Sequence, residues 1–456
     1  MVFSDLLFIY LFLPVCLICY YLTDRTNVRN NVLTVFSLLF YSFGEPVWVG
    51  LLLVSAFTDY SCGLFIERHR NEKKAVFGLI ASLVINLGML FVFKYSGFTV
   101  ETVNNLFGTS FHVPSFSLPI GISFYTFQTI SYTVDVYRRK ADVQHDFCDF
   151  LLYVSMFFQL VAGPIVRYTD IAAEITERHN LSKDTAGGIV RFIYGLGKKV
   201  ILANCAGSIA DSIFSGDISS VLAAWTGGLA FSLQIYYDFS GYSDMAIGLG
   251  QLFGFHLTEN FNYPYISRSA SEFWRRWHMS LGAFFRDYVY IPMGGNRRHQ
   301  LLNIAVVWFL TGLWHGASFN YILWGLYFGL LVGLEKLFLG KLLEKIPRIF
   351  SHIYLLAVVL FGWLLFYFED LSRLKSCLAA MFGIGEIPLS DFVTVSLLKN
   401  NLFVIIAAVI LCCPVYRVVK DKTGAAGKIV FGFAVLIISS LLLVKQSYNP
   451  FIYFRY

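Results

Sequence analysis

The sequence predicts an all-α, polytopic membrane protein, and its composition and its apolar runs support this fold class. Of the 456 residues, 57% are hydrophobic, 18% are aromatic and only 14% are charged. Soluble domains carry about 25% charged residues, so this composition excludes an ordinary soluble enzyme. The apolar residues also form continuous runs, whereas a transmembrane β-barrel alternates apolar and polar residues in segments of about ten. We therefore expect transmembrane helices together with re-entrant or interfacial helices.

Apolar stretches that could form membrane helices recur along the whole chain. A helix needs about 20 apolar residues to cross the hydrocarbon core, and on this basis we predict about 10 to 12 spans or partial spans. The predicted stretches are 3–22, 32–44, 46–64, 76–95, 118–136, 147–166, 187–207, 222–255, 301–334, 352–368, 402–416 and 428–445. No basic residue precedes Arg25, so the first stretch is predicted to be an uncleaved span rather than a signal peptide.

The basic residues of the first loops predict an orientation. Arg25 and Arg29 follow the first stretch, and further basic groups lie at 68–74 and 138–140. The loop 97–117 contains no Lys or Arg. By the positive-inside rule, the N-terminus is extracytoplasmic and the basic loops are cytoplasmic. The net charge of +6 fits such loops better than nucleic-acid binding, so no nucleic-acid partner is expected.

The chain is predicted to form one membrane-embedded domain over residues 1–456. Within it we distinguish N-terminal helices (1–117), a catalytic core (118–340) and C-terminal helices (341–456). Eight cysteines are present, but no Cys/His spacing matches a zinc site, so no metal is expected. Cys16 and Cys19 lie within an apolar stretch and are interpreted as small packing residues.

The segment 272–288 is predicted to be an amphipathic helix in the membrane interface. At 100° per residue, Trp274 and Trp277 fall on an aromatic face, and Arg275 and Arg276 fall on the opposite face. His278 lies at the edge of the aromatic face. Two interpretations remain open: an interfacial histidine bonded to a backbone carbonyl, or a histidine that faces a substrate path.

The stretch 301–334 contains a single strongly titrating side chain, His315. One helix of this length would exceed the hydrocarbon core, so a break is expected, and Gly312, Gly316 and Asn320 mark it. An ionisable residue within the membrane is a functional candidate, and histidine is the most common general base. Trp314 belongs to a group of tryptophans that could wall a substrate passage. The alternative is a buried neutral histidine satisfied by a carbonyl or by Asn320.

A polar cluster interrupts the apolar stretch 222–255. Carboxylates in hydrocarbon are costly unless they are paired, and Arg275, Arg276 or Lys198–Lys199 are candidate partners. The cluster is interpreted either as a network that joins helices or as part of a reaction chamber. Its members of interest are Gln234, Tyr237, Asp238 and Asp244.

Several multi-residue stretches resemble a known family. They are Pro119–Gln128, Gly163–Ile165, Tyr236–Met245, Glu272–His278, Arg286–Arg297, Trp314–Ala317 and Asn449–Tyr453. Together they are similar to the membrane-bound O-acyltransferase (MBOAT) family, in particular its alginate O-acetyltransferase branch. The resemblance implies a helical enzyme with a central tunnel, His315 as the main catalytic residue and His278 as the second histidine. It also implies a bacterial cytoplasmic (inner) membrane location and an extracytoplasmic partner of the SGNH esterase/transferase type.

We therefore predict an O-acyltransferase that uses no permanently bound cofactor and takes acyl-CoA, most simply acetyl-CoA, as donor. His315 would act as general base on an acceptor hydroxyl of an exopolysaccharide or cell-wall glycan. His278, with Asp238 or Asp244, would orient groups or stabilise charge. Membrane lipids and the polysaccharide machinery are the expected partners. The rival functions are a transporter or flippase without acyl chemistry and a non-catalytic scaffold of a secretion complex.

Overall fold

The computed structural model describes residues 1–178, 182–415 and 424–445, and these ranges contain helices but no β-strand. Five helical segments in these ranges are long and apolar enough to cross a membrane, and the bent pair Phe392–Asn400 and Leu402–Leu411 would make a sixth. The five segments are Val49–Arg68, Ala75–Phe107, Phe319–Lys345, Arg348–Tyr367 and Ala426–Lys445. The prediction of an all-α polytopic membrane protein is therefore confirmed.

The chain divides into two compact units. Unit 1 comprises residues 1–192 and 243–258, and unit 2 comprises residues 193–242 and 259–456. The helices wholly within unit 1 are α1 (Leu13–Tyr21), α2 (Thr26–Gly44), α3 (Val49–Arg68), α4 (Ala75–Leu90), α5 (Ser96–Phe107), α6 (Ile122–Tyr137), α7 (Phe147–Ser155), α8 (Phe157–Leu160) and α9 (Tyr168–Thr176).

Two helices have residues in both units, α10 (Ser182–Gly197) and α12 (Val221–Leu252). Residues 222–252 of the predicted stretch 222–255 thus lie in one continuous helix. The remaining helices belong to unit 2. They are α11 (Asn204–Phe214), α13 (Ala270–Trp274), α14 (Met279–Phe285), α15 (Gln300–His315), α16 (Phe319–Leu334), α17 (Gly340–Lys345), α18 (Arg348–Tyr367), α19 (Leu371–Met381), α20 (Phe392–Asn400), α21 (Leu402–Leu411) and α22 (Ala425–Lys445).

Aromatic packing forms the core of unit 1. The core contains the rings of Phe3, Phe8, Phe12, Phe40 and Phe157, and the centroids of contacting rings lie 5.1 to 6.4 Å apart. Tilted and edge-to-face contacts of this kind add about 0.5–1.5 kcal/mol per pair beyond the burial of area. The core therefore joins the N-terminal segment to α2 and α8.

A buried carboxylate joins three helices of unit 1. Asp59 of α3 accepts hydrogen bonds from Ser82 and Asn86 of α4 and from Thr133 of α6; the Asn86 and Thr133 bonds measure 2.6 and 2.9 Å. The Thr129 hydroxyl lies 3.5 Å from the Asn86 side-chain oxygen. We call these five residues the Asp59 cluster.

The predicted span 147–166 is broken. Met156, with φ −44° and ψ 114°, separates α7 from α8, and residues 161–167 are not helical. The Phe157 N–H bonds the Ser37 hydroxyl at 3.2 Å rather than the carbonyl one turn before it. This segment is nevertheless buried from Phe150 to Val166. Non-helical backbone at membrane depth is tolerated only inside protein or beside a water-filled cavity.

The stretch 301–334 is broken where the glycines predicted. Helix α15 ends at His315, and α16 begins at Phe319. A Cβ atom on Gly312 would collide with the Tyr321 carbonyl and come within 3.3 Å of the Gly325 Cα, so the two helices cross at glycines. A Cβ atom on Gly316 would collide with the Tyr321 ring. Packing between the two helices therefore occupies the space beside both glycines.

Candidate active site

His315 is the last residue of α15. Its side chain is half-buried, whereas the neighbouring Trp314 is buried. The C-terminal end of a helix carries the partial negative charge of unsatisfied carbonyls, which stabilises a nearby positive charge. An imidazole that gains a proton during a reaction is therefore favoured at this position.

Three aromatic rings enclose the His315 imidazole. Its centroid lies 4.8 Å from Trp314, 5.0 Å from Trp324 and 5.3 Å from Phe366. Asn320 is buried, and its side-chain amide donates to the Phe366 carbonyl at 3.3 Å. This hydrogen bond therefore holds the backbone of Phe366, one of the three rings around His315, in place. The three rings are apolar, and electrostatic interactions beside them are stronger than in water.

His278 lies between two short helices rather than within one long helix. Its backbone has φ 43° and ψ 55°, which is left-handed and ends any helix at this point. The Met279 N–H donates to the Asn260 carbonyl, and the Asn262 N–H donates to the Arg276 carbonyl. The prediction of one interfacial helix over 272–288 is therefore wrong, because a neighbouring segment takes the hydrogen bonds that a continuous helix would make.

Asn260 fixes the tautomer of His278. The Asn260 side-chain oxygen lies 3.0 Å from His278 Nδ1, and it also accepts from the Ser280 N–H and hydroxyl. Because a backbone N–H can only donate, the shared atom is the amide oxygen and not the nitrogen. His278 Nδ1 must therefore carry the proton, which leaves a lone pair on Nε2.

The second nitrogen of His278 is buried and has no hydrogen-bond partner among the described residues. The side chain is 2% exposed, and the Phe239 ring meets the imidazole edge-to-face at 4.7 Å. Burial lowers the pKa of His278 from 6.5 to about 3. His278 is thus neutral at physiological pH, and it offers an acceptor rather than a donor.

A cluster of aromatic rings connects the two histidines. The Trp314 ring lies 5.9 Å from His278 and 4.8 Å from His315. The Trp274 ring lies 5.4 Å from Trp324, and Trp277 lies 6.4 Å from Trp274. The structure therefore brings together five of the residues that the sequence analysis selected, namely Trp274, Trp277, His278, Trp314 and His315.

Two further selected residues of α12 have structural partners in unit 2. Asp238 forms an ion pair with Lys199 at 2.6 Å, and each side chain is 3% exposed. Lys199 also donates to Asn204 at 3.1 Å. Lys198–Lys199 was one of the predicted partners, so this pairing is confirmed. The Tyr237 hydroxyl donates to the Ala408 carbonyl, which joins α12 to α21.

The structure shows other contacts for Asp244 and Arg276. Asp244 lies in unit 1 and pairs with Arg191 at 2.9 Å. Arg276 pairs with Glu272 at 2.8 Å, and Arg275 is exposed. Gln234 is buried in unit 2.

The sequence analysis did not select Asn260. This residue is 18 positions before His278, in a polar loop that follows α12. Nothing in a spacing of 18 predicts a contact, and the abundance of asparagine in loops hides it. The one feature of the sequence that pointed to Asn260 was its position in the polar segment that precedes His278.

Comparisons with known proteins identify the family of the chain. The profile described as "MBOAT, membrane-bound O-acyltransferase family" matches residues 33–378, which include both histidines. The chain belongs to the membrane-bound O-acyltransferase family. This MBOAT protein is accordingly an O-acyltransferase with several membrane helices.

The family member has relatives along its full length. It is 36% identical to the "Probable alginate O-acetylase AlgI" of Pseudomonas putida, and the match covers all of both chains. It is 40% identical to the protein of the same name from Pseudomonas aeruginosa, over 86% of this chain and 76% of that one. It is 32% identical to the "Peptidoglycan O-acetyltransferase" of Helicobacter pylori, over 85% of this chain and 81% of that one. The resembling stretch Asn449–Tyr453 lies outside the residues that the structure describes.

Proposed function

We propose that this enzyme transfers an acetyl group from a cytoplasmic thioester, acetyl-CoA, to a hydroxyl of an extracytoplasmic polysaccharide. The observation that carries the proposal is the half-buried His315 at a helix end, enclosed by three aromatic rings, in a chain of the MBOAT family. The names of the relatives support an alginate-like polymer or a cell-wall glycan as the acceptor.

His315 acts as the general base in this mechanism. It takes the proton of the acceptor hydroxyl as the oxygen attacks the thioester carbonyl, so an O–C bond forms and an O–H bond breaks. The tetrahedral intermediate then collapses with cleavage of the C–S bond, and the leaving thiolate takes the proton from the His315 imidazolium. The ester and the free thiol are the products. The carbonyls at the end of α15 stabilise the imidazolium that exists between the two steps.

His278 has a different role, because its free nitrogen carries a lone pair. Nε2 can accept a hydrogen bond from a second donor group of the acceptor, next to the attacking hydroxyl, and thereby hold the acceptor in place. It cannot donate to a developing oxyanion in this tautomer. A pKa of about 3 also makes His278 a weak base compared with an ordinary imidazole. His278 is therefore a positioning residue and does not stabilise the charge of the developing oxyanion.

The buried ion pair between Lys199 and Asp238 supports the position of His278 indirectly. Phe239 follows Asp238 on α12, and its ring contacts His278. The Lys199–Asp238 pair fixes α12 in unit 2 and so fixes Phe239. Removing one partner of a buried pair costs about 3–5 kcal/mol, so this pair is expected to affect folding as much as catalysis.

The partner and the location follow from the same proposal. The chain is a multi-pass protein of the bacterial cytoplasmic membrane. An extracytoplasmic SGNH-type protein either takes the acetyl group from this enzyme or hands the glycan to it. A hydroxyl on such a partner and a sugar hydroxyl present the same nucleophile to His315, so one mechanism serves both routes.

The test uses purified full-length protein with labelled acetyl-CoA and either the partner or glycan fragments. We expect the wild type to label the acceptor, and His315→Ala to lose at least a thousandfold in transfer while keeping its thermal unfolding temperature. The control is His145→Ala, because that side chain is 69% exposed and lies in unit 1. Wild-type transfer by His315→Ala would disprove the assignment.

A further inference from the structure

Glu335 is a buried carboxylate that the proton transfer does not use. It directly follows α16 and is 8% exposed. The Ala270 N–H donates to its Oε1 at 2.6 Å, and the Ser271 N–H donates to its Oε2 at 2.8 Å. The Tyr354 hydroxyl of α18 also donates to Oε1, at 3.1 Å. Glu335 therefore joins the end of α16 to the start of α13 and to α18, and all of these residues belong to unit 2.

The start of α13 depends on this carboxylate. Helix α13 has only 5 residues, and a helix this short is not stable by itself. The first N–H groups of a helix have no partner within the helix. In α13, the Ser269 hydroxyl accepts from the Glu272 N–H, and the Glu335 carboxylate accepts from the two N–H groups before it. The position of α13 is thus fixed by a side chain from a different helix.

His278 follows α13 closely, in a backbone conformation that needs support. Helix α13 ends at Trp274, and the left-handed residue His278 comes one turn later. A left-handed backbone costs a residue other than glycine about 1–2 kcal/mol, so it persists only where the surrounding structure holds it. Asn260 bonds the His278 ring and the Met279 N–H. On the other side of His278, the chain is held through α13 and therefore by Glu335.

The helices that Glu335 joins also carry two of the rings around His315. Trp324 belongs to α16, and Phe366 belongs to α18. The Trp274 ring of α13 lies 5.4 Å from the Trp324 ring. Glu335 itself comes three turns after Trp324, which is about 16 Å along a helix. Its influence on the reaction must therefore pass through α13.

We infer that Glu335 is a positioning residue for the acceptor, because it fixes α13 and thereby holds His278 where Nε2 binds the acceptor. The inference rests on the proposed function for the role of His278, whereas the contact between Glu335 and α13 is defined by unit 2 alone. Weakening this contact should impair the use of the acceptor and leave the use of the thioester donor unchanged.

The test measures transfer by purified full-length protein from labelled acetyl-CoA to alginate oligosaccharides or peptidoglycan fragments, whichever the wild type acetylates. Glu335→Gln keeps the size of the side chain but places an amide nitrogen against a backbone N–H. We expect the KM for the acceptor to rise at least about tenfold, as for one lost hydrogen bond to a charged group, while the KM for acetyl-CoA is unchanged. The matched control is Glu344→Gln, because Glu344 is exposed and also lies in unit 2, and both KM values should be those of the wild type. If Glu335→Gln does not fold, Glu335→Asp replaces it in the same measurements.

A double-mutant cycle tests whether Glu335 acts through His278. In a His278→Gln background, Glu335→Gln should change the acceptor KM by less than about twofold, because the residue that it positions is already lost. Additive effects would overturn the inference, and so would an unchanged acceptor KM in Glu335→Gln or an equal rise in both KM values.

The unfolding midpoint provides a second measurement that needs no turnover. The drop caused by His278→Gln should be smaller in Glu335→Gln than in the wild type, since the surroundings of His278 are then already loosened. If this coupling is present but the wild type transfers nothing from acetyl-CoA, the proposed function fails and the link between Glu335 and His278 stands. If the wild type transfers acetyl groups but the coupling is absent, the inference fails and the proposed function stands.

Discussion

Helix α6 of unit 1 contributes to two buried polar groups that differ in one respect. In the Asp59 cluster, the carboxylate accepts hydrogen bonds from three donors on α4 and α6. In a second group, which we call the Gln128 cluster, five equally buried residues have polar atoms without a partner among the described residues. They are Tyr125, Thr126, Gln128, Ser155 and Gln159. Asp59 and Gln128 are both 0% exposed, so burial does not distinguish the two clusters.

The difference indicates two purposes for polar residues in one helix. A satisfied network joins helices, because each donor is held by an acceptor and would be left unpaired if a helix moved. An unsatisfied group contributes no hydrogen bond to the fold and carries the cost of removing its polar atoms from water. Substitutions in the two clusters should therefore have opposite effects on stability.

The largest effect is expected at Asp59. Asp59→Ala leaves the donors of Ser82, Asn86 and Thr133 without their acceptor, and we expect a loss of about 3–5 kcal/mol in the free energy of unfolding. Thermal unfolding in detergent measures this as a lower midpoint. Thr133→Val, which removes one donor and keeps the volume, should cost about 1 kcal/mol. A midpoint unchanged by Asp59→Ala would mean that the network is not what joins these helices.

His278 is an intermediate case, since one nitrogen is bonded and the other is not. Its pKa is about 3 in the folded protein and 6.5 when unfolded, so the unfolded state binds the proton between these values. Stability contributed by His278 is therefore complete above pH 6.5 and is lost as the pH falls towards 3. The slope is at most about 1.4 kcal/mol per pH unit.

The measurement compares unfolding midpoints of wild type and His278→Gln between pH 7 and pH 5, where glutamine cannot titrate. The wild type should lose stability faster than the variant as the pH falls. Parallel curves would show that His278 is charged or exposed in the folded protein. The test matters for catalysis as well, because a neutral His278 is the basis of its assignment as a positioning residue.

The sequence was most informative where a local cause decides the structure. The break between α15 and α16 was predictable from Gly312 and Gly316, because a helix of that length exceeds the membrane and glycines weaken it. The all-α class followed from composition. Both predictions depend on residues that are close together in the chain.

The sequence was least informative where a distant residue decides the structure. Asn260 fixes His278 from 18 positions away, and Arg191, which was not among the predicted partners, pairs with Asp244 from 53 positions away. The left-handed backbone at His278 also depends on hydrogen bonds to another segment, so helical periodicity in 272–288 was misleading. The Gln128 cluster was not selected for the same reason, because its residues are recognised only by the partners they lack.

The smallest effect on stability is expected in the Gln128 cluster. Leucine has nearly the volume of glutamine and brings no polar atoms, so Gln128→Leu removes an unsatisfied donor and acceptor from the interior. We expect the unfolding midpoint to stay the same or to rise, in contrast to the loss at Asp59. Gln144→Leu should lower the midpoint, because its hydrogen bonds to Tyr168 and to the backbone are lost. If Gln128→Leu destabilises the protein as much as Thr133→Val does, then Gln128 has partners that hold the fold together. In that case the contrast between the two clusters on α6 would be wrong.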